Sequence, residues 1–334
     1  MGADTTTTDD PTVKASAYAQ SVRAVLEDPA GKTLEVVWRT ATPDDMGHDR
    51  RADRAAEMLL AYEDFKNVPN HVTPLDIGAL TRDGLLVSLR DYNELYLVTE
   101  YANGAPYAQE LREIALRGRA TEHDHQRVTA LATYLAKLHV PIDTPGRYRR
   151  SIRDLVGSGE GIFGVADNFP SEVPGASLER IEAIERRCAT WRWKLRDHDG
   201  RLCRIHGDFH PFNILFDADR LVLLEASRGT AGDPADDLCA MSINFMLFAL
   251  DSERGWAGLG PLWHRFWDTY SQLRPDPSLR RVAPPFFAWR ALVLSNPRFY
   301  PNLSGPARSS LLGVVEGALD AGFLDLAWAD EVFQ

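Results

Sequence analysis

Apolar residues follow one period near the start of the chain and another through most of the rest. "SVRAVLED" (21–28) and "KTLEVVWRT" (32–40) flank the turn signal "PAG". Together they predict a β-hairpin. In "DRRADRAAEMLLAYEDF" (49–65), Ala52, Ala55, Ala56, Leu59 and Leu60 recur at helical spacing, which predicts one helix. Short strands are predicted around "LLVSLR" (85–90) and "LYLVTEY" (95–101), with Asn103-Gly104 as a linker. Beyond Gly104 the pattern turns helical. Val128, Leu131, Leu135 and Leu138 form one apolar stripe in "RVTALATYLAKLH". A second helical section over about 140–200 carries the glycine-rich "VGSGEGIFGVAD" (156–167). The last hundred residues read as helices rich in aromatics, from Trp256 to Trp289. Their helical spacing suits a core, though one or two of them, for example Trp289 with Arg290, could face a substrate. The expected architecture is α+β: a polar tail over 1–11, a small β-rich N-lobe over 12–103, and a larger α-helical C-lobe over 104–334.

Composition narrows the partners. The chain has 334 residues and a net charge of -11, which opposes nucleic-acid binding and is compatible with a cationic small molecule. Three cysteines form no CxxC pattern, so a reducing, cytoplasmic setting is expected. "MSINFMLFAL" (241–250) is too short for a membrane span and reads as a buried helix. Oligomeric state is not legible.

The chemistry concentrates in "HGDFHPFNILFDADRLVLLEAS" (206–227). Asp208 and Asn213 have the Asp-x-x-x-x-Asn spacing of a phosphoryl-transfer loop, where a carboxylate orients a hydroxyl and an amide oxygen helps hold magnesium. "NILF" and "LVLLE" predict two strands joined by "DADR", which would return Glu225 beside Asn213. A carboxylate buried within that apolar strand would need a cationic partner, either magnesium or Arg228.

These residues resemble the aminoglycoside phosphotransferase and choline kinase-like superfamily, as does "GDPADDLCAM" (232–241) downstream. The resemblance implies a protein-kinase-like, two-lobed fold. It also implies transfer of the γ-phosphate of ATP, with Mg2+, to a hydroxyl of a small, amine-bearing substrate such as an aminoglycoside, amino sugar, choline-like or amino-acid alcohol. By resemblance Asp208 is the catalytic aspartate, Asn213 and Glu225 hold metal, and Asp237 with His206 supports the loop. Glu225 departs from the family's usual aspartate and adds one methylene.

In the N-lobe, "VVWR" (36–39) stands where kinases carry Val-Ala-Ile-Lys. Strand alternation puts Val37 and Arg39 on one face, for adenine and phosphates respectively. Glu57 is a partner for Arg39, with Asp53 and Glu63 as rivals. "LVTEYANG" (97–104) resembles the interlobe hinge, so backbone groups of Glu100, Tyr101 and Ala102 would meet the adenine edge. The first loop, Ser16–Ser21, contains no glycine. "GSGEGIFG" (157–164) lacks the strand-before, helix-after setting of a dinucleotide site and reads as a loop near the substrate entrance. Two other classes remain: a degenerate kinase that only binds nucleotide, and a metallohydrolase in which His206, Asp208 and His210 hold zinc.

Overall fold

The computed structural model describes residues 19–44, 47–144, 146–226, 228–250 and 252–333. The expected tail over 1–11 and residues 16–18 of the first loop lie outside them. The chain divides into two compact units, Met1–Glu100 and Tyr101–Gln334.

In the first unit, β1 (Ala19–Glu27) and β2 (Thr33–Ala41) pair antiparallel, with Ser21 opposite Arg39 and Arg23 opposite Val37. Asp28 shapes their connection by accepting from the Ala30 and Lys32 backbone N–H groups, a side-chain mimic of a turn. Helix α1 (Arg51–Asp64) follows. Its Asp53 accepts from the Arg50 backbone N–H at 3.1 Å, satisfying a donor at the helix start. The short strands β3 (Gly78–Leu80) and β4 (Leu86–Ser88) make a second hairpin. "LYLVTEY" forms no strand; Leu97 is 87% exposed and its neighbours are also open to solvent. The β-branched and aromatic residues that suggested a strand find no pairing edge there, and propensity without cross-strand partners carries little weight.

The second unit contains the whole buried core, from Tyr107 to Ala329. It begins with β5 (Ala105–Pro106) and continues through α2 (Tyr107–Arg117), α3 (Glu122–Leu138), α4 (Arg147–Gly157), α5 (Ile162–Asp167) and α6 (Leu178–Leu195). Short strands β6 (Cys203–Arg204), β7 (Ile214–Asp217), β8 (Arg220–Leu223) and β9 (Ala231–Gly232) follow. The chain ends in α7 (Pro234–Ala249), α8 (Gly255–Leu273), α9 (Leu279–Val282), α10 (Pro284–Ser295), α11 (Gly305–Ala321) and α12 (Ala327–Phe333).

Two small sheets frame the segment that carries the chemistry. One has the order β5-β7-β8 and the other pairs β6 with β9. A Cβ on Gly104 would lie 2.8 Å from the Phe216 carbonyl oxygen, and its φ is +132°. Only glycine lets the chain approach β7 this closely. Helix α7 is buried along its whole length. Asp233 caps it by accepting from the Ala235 N–H at 2.9 Å, and Pro234 occupies the first turn, where its missing N–H costs nothing. No helix among the described residues is long and apolar enough to cross a membrane. "VGSGEGIFGVAD" joins α4 to α5, so a helix precedes the glycines, unlike a dinucleotide fold.

Candidate active site

The first two backbone N–H groups of the loop from His206 to Asn213 are held by one side chain. Asp237, in the first turn of α7, accepts from the backbone N–H groups of His206 at 2.7 Å and Gly207 at 2.8 Å. Its Oδ2 also lies 3.2 Å from His139 Nε2, while His139 Nδ1 lies 2.7 Å from the Tyr270 hydroxyl. Burial would raise the Asp237 carboxyl, but His139 and the two backbone donors outweigh it and hold it below the usual range. Gly207 has φ +84°, and a Cβ there would lie 2.6 Å from the Gly229 carbonyl oxygen. The loop therefore turns at a position that favours glycine.

Asp208 emerges from this turn surrounded by donors. Arg290 Nη1 donates to Oδ1 at 2.6 Å. Asn213 Nδ2 donates to Oδ2 at 3.0 Å and to the Asp208 carbonyl at 3.1 Å. His210 Nε2 lies 3.3 Å from Oδ2. Burial would push the carboxyl up, yet the His210 hydrogen bond and the Arg290 charge hold it well below the ordinary carboxylate range. Asp208 is thus an ionised acceptor in a partly buried setting.

Asn213 opens the hairpin β7–β8, and its carbonyl accepts from the Leu224 N–H at 2.9 Å. Glu225 follows directly. It lies beyond the end of β8 rather than within the strand, is exposed, and has φ +48°. The expectation of a carboxylate buried in an apolar strand is therefore corrected. Arg228 is not its partner: Arg228 Nη2 donates to Asp236 Oδ2 at 2.7 Å and Nε to the Gly207 carbonyl at 3.0 Å. A left-handed φ is disfavoured for a side chain such as glutamate, and such conformations cluster at functional positions. An exposed carboxylate next in sequence to a residue paired with Asn213 fits a hard cation that prefers oxygen ligands.

A cavity of about 440 Å3 opens against Asp208 within the second unit. Its walls include Ile243, Trp289, Val293 and Tyr300, with Gly159 and Gly164 from the glycine-rich segment. A Cβ on Gly164 would lie 2.1 Å from the Gly159 carbonyl, so these glycines permit a tight turn at the cavity rim. Trp289 Nε1 donates to the Glu160 carbonyl at 2.8 Å and ties that rim to α10.

The candidates for nucleotide contact all precede this loop in the sequence. Val37 is 60% exposed on β2, and Arg39 is exposed on the same face. Glu57 lies 3.6 Å from His48 rather than beside Arg39. Of its rivals, Asp53 accepts from Arg50 and Glu63 from Tyr92. Among the described residues Arg39 has no ion pair. A short polar loop brings His48 to α1, which the helical periodicity did not reveal. Glu100, Tyr101 and Ala102 lie in irregular chain, with Tyr101 89% exposed.

The zinc arrangement is not formed. His206 Nδ1 faces the Asp208 backbone N–H at 3.2 Å, and no group of three or more His, Cys, Asp and Glu residues among the described residues is set to hold a metal. The sequence reading missed Asp236 and His139. "GDPADD" contained the first, but consecutive aspartates in one helix turn point in different directions, and spacing alone does not say which way.

Comparison with known proteins then decides the family. A sequence profile of the phosphotransferase enzyme family matches residues 25–275. The chain belongs to the phosphotransferase enzyme family. As a member it is a phosphotransferase acting on a hydroxyl group. Among solved structures this phosphotransferase is similar to a choline/ethanolamine kinase family protein from Mesorhizobium loti, at 14% identity, covering 93% of this chain and 85% of that one, with a TM-score of 0.36. It is also similar to an aminoglycoside phosphotransferase from Streptomyces rimosus, at 17% identity, covering 81% and 92%, with a TM-score of 0.39. A glucosamine kinase is a third, at 16% identity, covering 96% and 94%, with a TM-score of 0.39. No curated protein matches the sequence.

Proposed function

We propose that this phosphotransferase moves the γ-phosphate of ATP to a hydroxyl of a small molecule bound in the cavity beside Asp208. The observation that carries the reading is the join between the loop and the cavity. An ionised Asp208, fixed by Asn213 and by the Asp237-braced backbone, borders an open-mouthed cavity of about 440 Å3. That volume is in the range of small-molecule sites.

In this reading Asp208 accepts a hydrogen bond from the acceptor hydroxyl and aims its oxygen at the γ-phosphorus. The new P–O bond forms as the bond to the β–γ bridging oxygen breaks. The hydroxyl proton passes to Asp208 and ADP leaves. Positioning of this kind is most of what phosphoryl transfer asks of a protein. Asn213 and Glu225 would hold magnesium, which when bound neutralises charge on the nucleotide phosphates. Val37, Arg39 and the backbone at Glu100–Ala102 are assigned to the nucleotide, and Glu57 to support within the first unit. The buried, unpaired cysteines suit a reducing cytoplasm.

The test is phosphorus NMR of the protein with ATP, magnesium and a mixed panel of small alcohols. The reading predicts a new phosphomonoester signal in step with ADP. Inorganic phosphate appearing as the sole product, at the same rate with and without alcohols, would contradict it.

A further inference from the structure

The charged groups lining the cavity are Arg228, Arg290, Arg298, Asp208, Glu160 and the titratable His210. Three guanidinium groups therefore face two carboxylates. Both oxygens of Asp208 are already engaged, Oδ1 by Arg290 and Oδ2 by Asn213. Glu160 is exposed at the rim. An ammonium group entering this space would find no uncommitted buried carboxylate on the wall.

The arginines are held as a rigid pair. Arg228 and Arg290 each lie 3.8 Å from the ring centre of Trp289. Both donate to the Gly207 carbonyl, Arg228 through Nε at 3.0 Å and Arg290 through Nη2 at 3.3 Å. Both also approach Asp236, Arg228 at 2.7 Å and Arg290 at 3.6 Å. Stacking and hydrogen bonding fix the guanidinium planes, which lowers the entropy lost when a ligand binds them. Two donors are left over. Arg228 Nη1 has no protein partner among the described residues. Arg290 is 6% exposed, and its buried Nε has no hydrogen-bond partner. On the same lining, the exposed Arg298 guanidinium has one hydrogen bond among the described residues, from Nη1 to Asn168 Oδ1 at 3.2 Å.

From this wall we infer that the acceptor alcohol carries an anionic group, a carboxylate or a phosphate, recognised by Arg228 with Arg298. The inference rests on the reading of the cavity as the acceptor site. Gly207, whose carbonyl anchors the arginine pair, is next in sequence to Asp208. A hydroxyl and an anionic group a few bonds apart therefore reach Asp208 and the arginines together. The body between them packs on Trp289, Val293 and Tyr300. The chain's net charge of -11 does not govern recognition here, because a cluster at contact distance outweighs more distant, screened surface charge.

Titrating inorganic phosphate into nucleotide-free, magnesium-free protein tests this independently of the kinase reading. The full chain is used as wild type, Arg228→Gln, Arg298→Gln and Arg186→Gln. Millimolar binding is expected, weakened about tenfold or more by Arg228→Gln through loss of a charge-assisted hydrogen bond. Arg298→Gln, at an exposed position that leaves the core intact, should weaken it several-fold, and Arg186→Gln, on the exposed face of α6 away from the cavity lining, should leave it unchanged. Choline should not displace the phosphate. The inference is overturned by no binding to the wild type, or by binding that Arg298→Gln leaves intact. An equal loss in Arg186→Gln, or displacement by choline, also overturns it. If Arg228→Gln unfolds, as circular dichroism would reveal, the Arg298→Gln result decides.

Discussion

Arg290 Nη1 donates to Asp208 Oδ1 at 2.6 Å across a side-chain pair that is largely shielded from water. Together with the His210 hydrogen bond, the pair keeps the loop carboxylate ionised despite its burial. Replacing Arg290 with methionine preserves bulk and removes the charge. The acid limb of the transfer rate should then move up by about one to three pH units. A pH–rate profile of Arg290→Met beside wild type checks this, and an unmoved acid limb would contradict the assigned influence.

Asp208 also separates binding from chemistry. Asp208→Asn keeps the shape and the Asn213 contact region while removing the proton acceptor. The turnover rate should fall by about 10²–10⁴-fold, with ATP affinity changed little. Steady-state rates and nucleotide titration on the same preparation give both numbers. Full activity in the variant would remove Asp208 from the mechanism.

Asp237 makes a prediction about stability. Its folded-state acidity is strengthened relative to an unfolded aspartate, as is that of Asp208. Both therefore contribute stability that is complete above the unfolded value near 3.8 and is lost as pH falls through the lower folded values. Urea unfolding should show little change from about pH 7 to 5 from these groups and a decline below about pH 4. Asp237→Ala strands two buried N–H groups and His139, and should cost about 3–5 kcal/mol.

Much of this site was legible in the sequence because local chemistry dictates it. Asp208 and Asn213 are five residues apart in a loop that must turn at Gly207, and the two strands after Asn213 are set by "NILF" and "LVLL". The aromatic-rich last third follows helical periodicity into the core, which was also readable. Distant packing was not. Nothing in the local pattern says that α10 brings Arg290 to Asp208, or that Arg228 prefers Asp236 to Glu225. The strand expected at "LYLVTEY" failed for the same reason: its residues favour a pleated surface, and only long-range pairing provides one. The burial expected of Glu225 failed because β8 ends at Leu223, two residues earlier than the apolar run suggested.

Glu225 joins backbone strain to function. Glu225→Gly removes the left-handed penalty at φ +48° and should raise the thermal midpoint by about 2 °C. It should also weaken magnesium-dependent nucleotide binding. Glu225→Asp should preserve or improve that binding. Thermal melts and calorimetry on the two variants separate the roles. A glycine variant that binds as tightly as wild type would remove Glu225 from the metal site.

The most direct measurement is calorimetric titration of ATP into metal-stripped protein, with and without magnesium. A nucleotide-dependent phosphotransferase built on Asn213 and Glu225 predicts saturable binding that strengthens at least tenfold when magnesium is added, as for a site that reads the metal–nucleotide complex. Absence of binding under both conditions, in protein whose fold is verified, would contradict the account and leave a degenerate member of the family in its place.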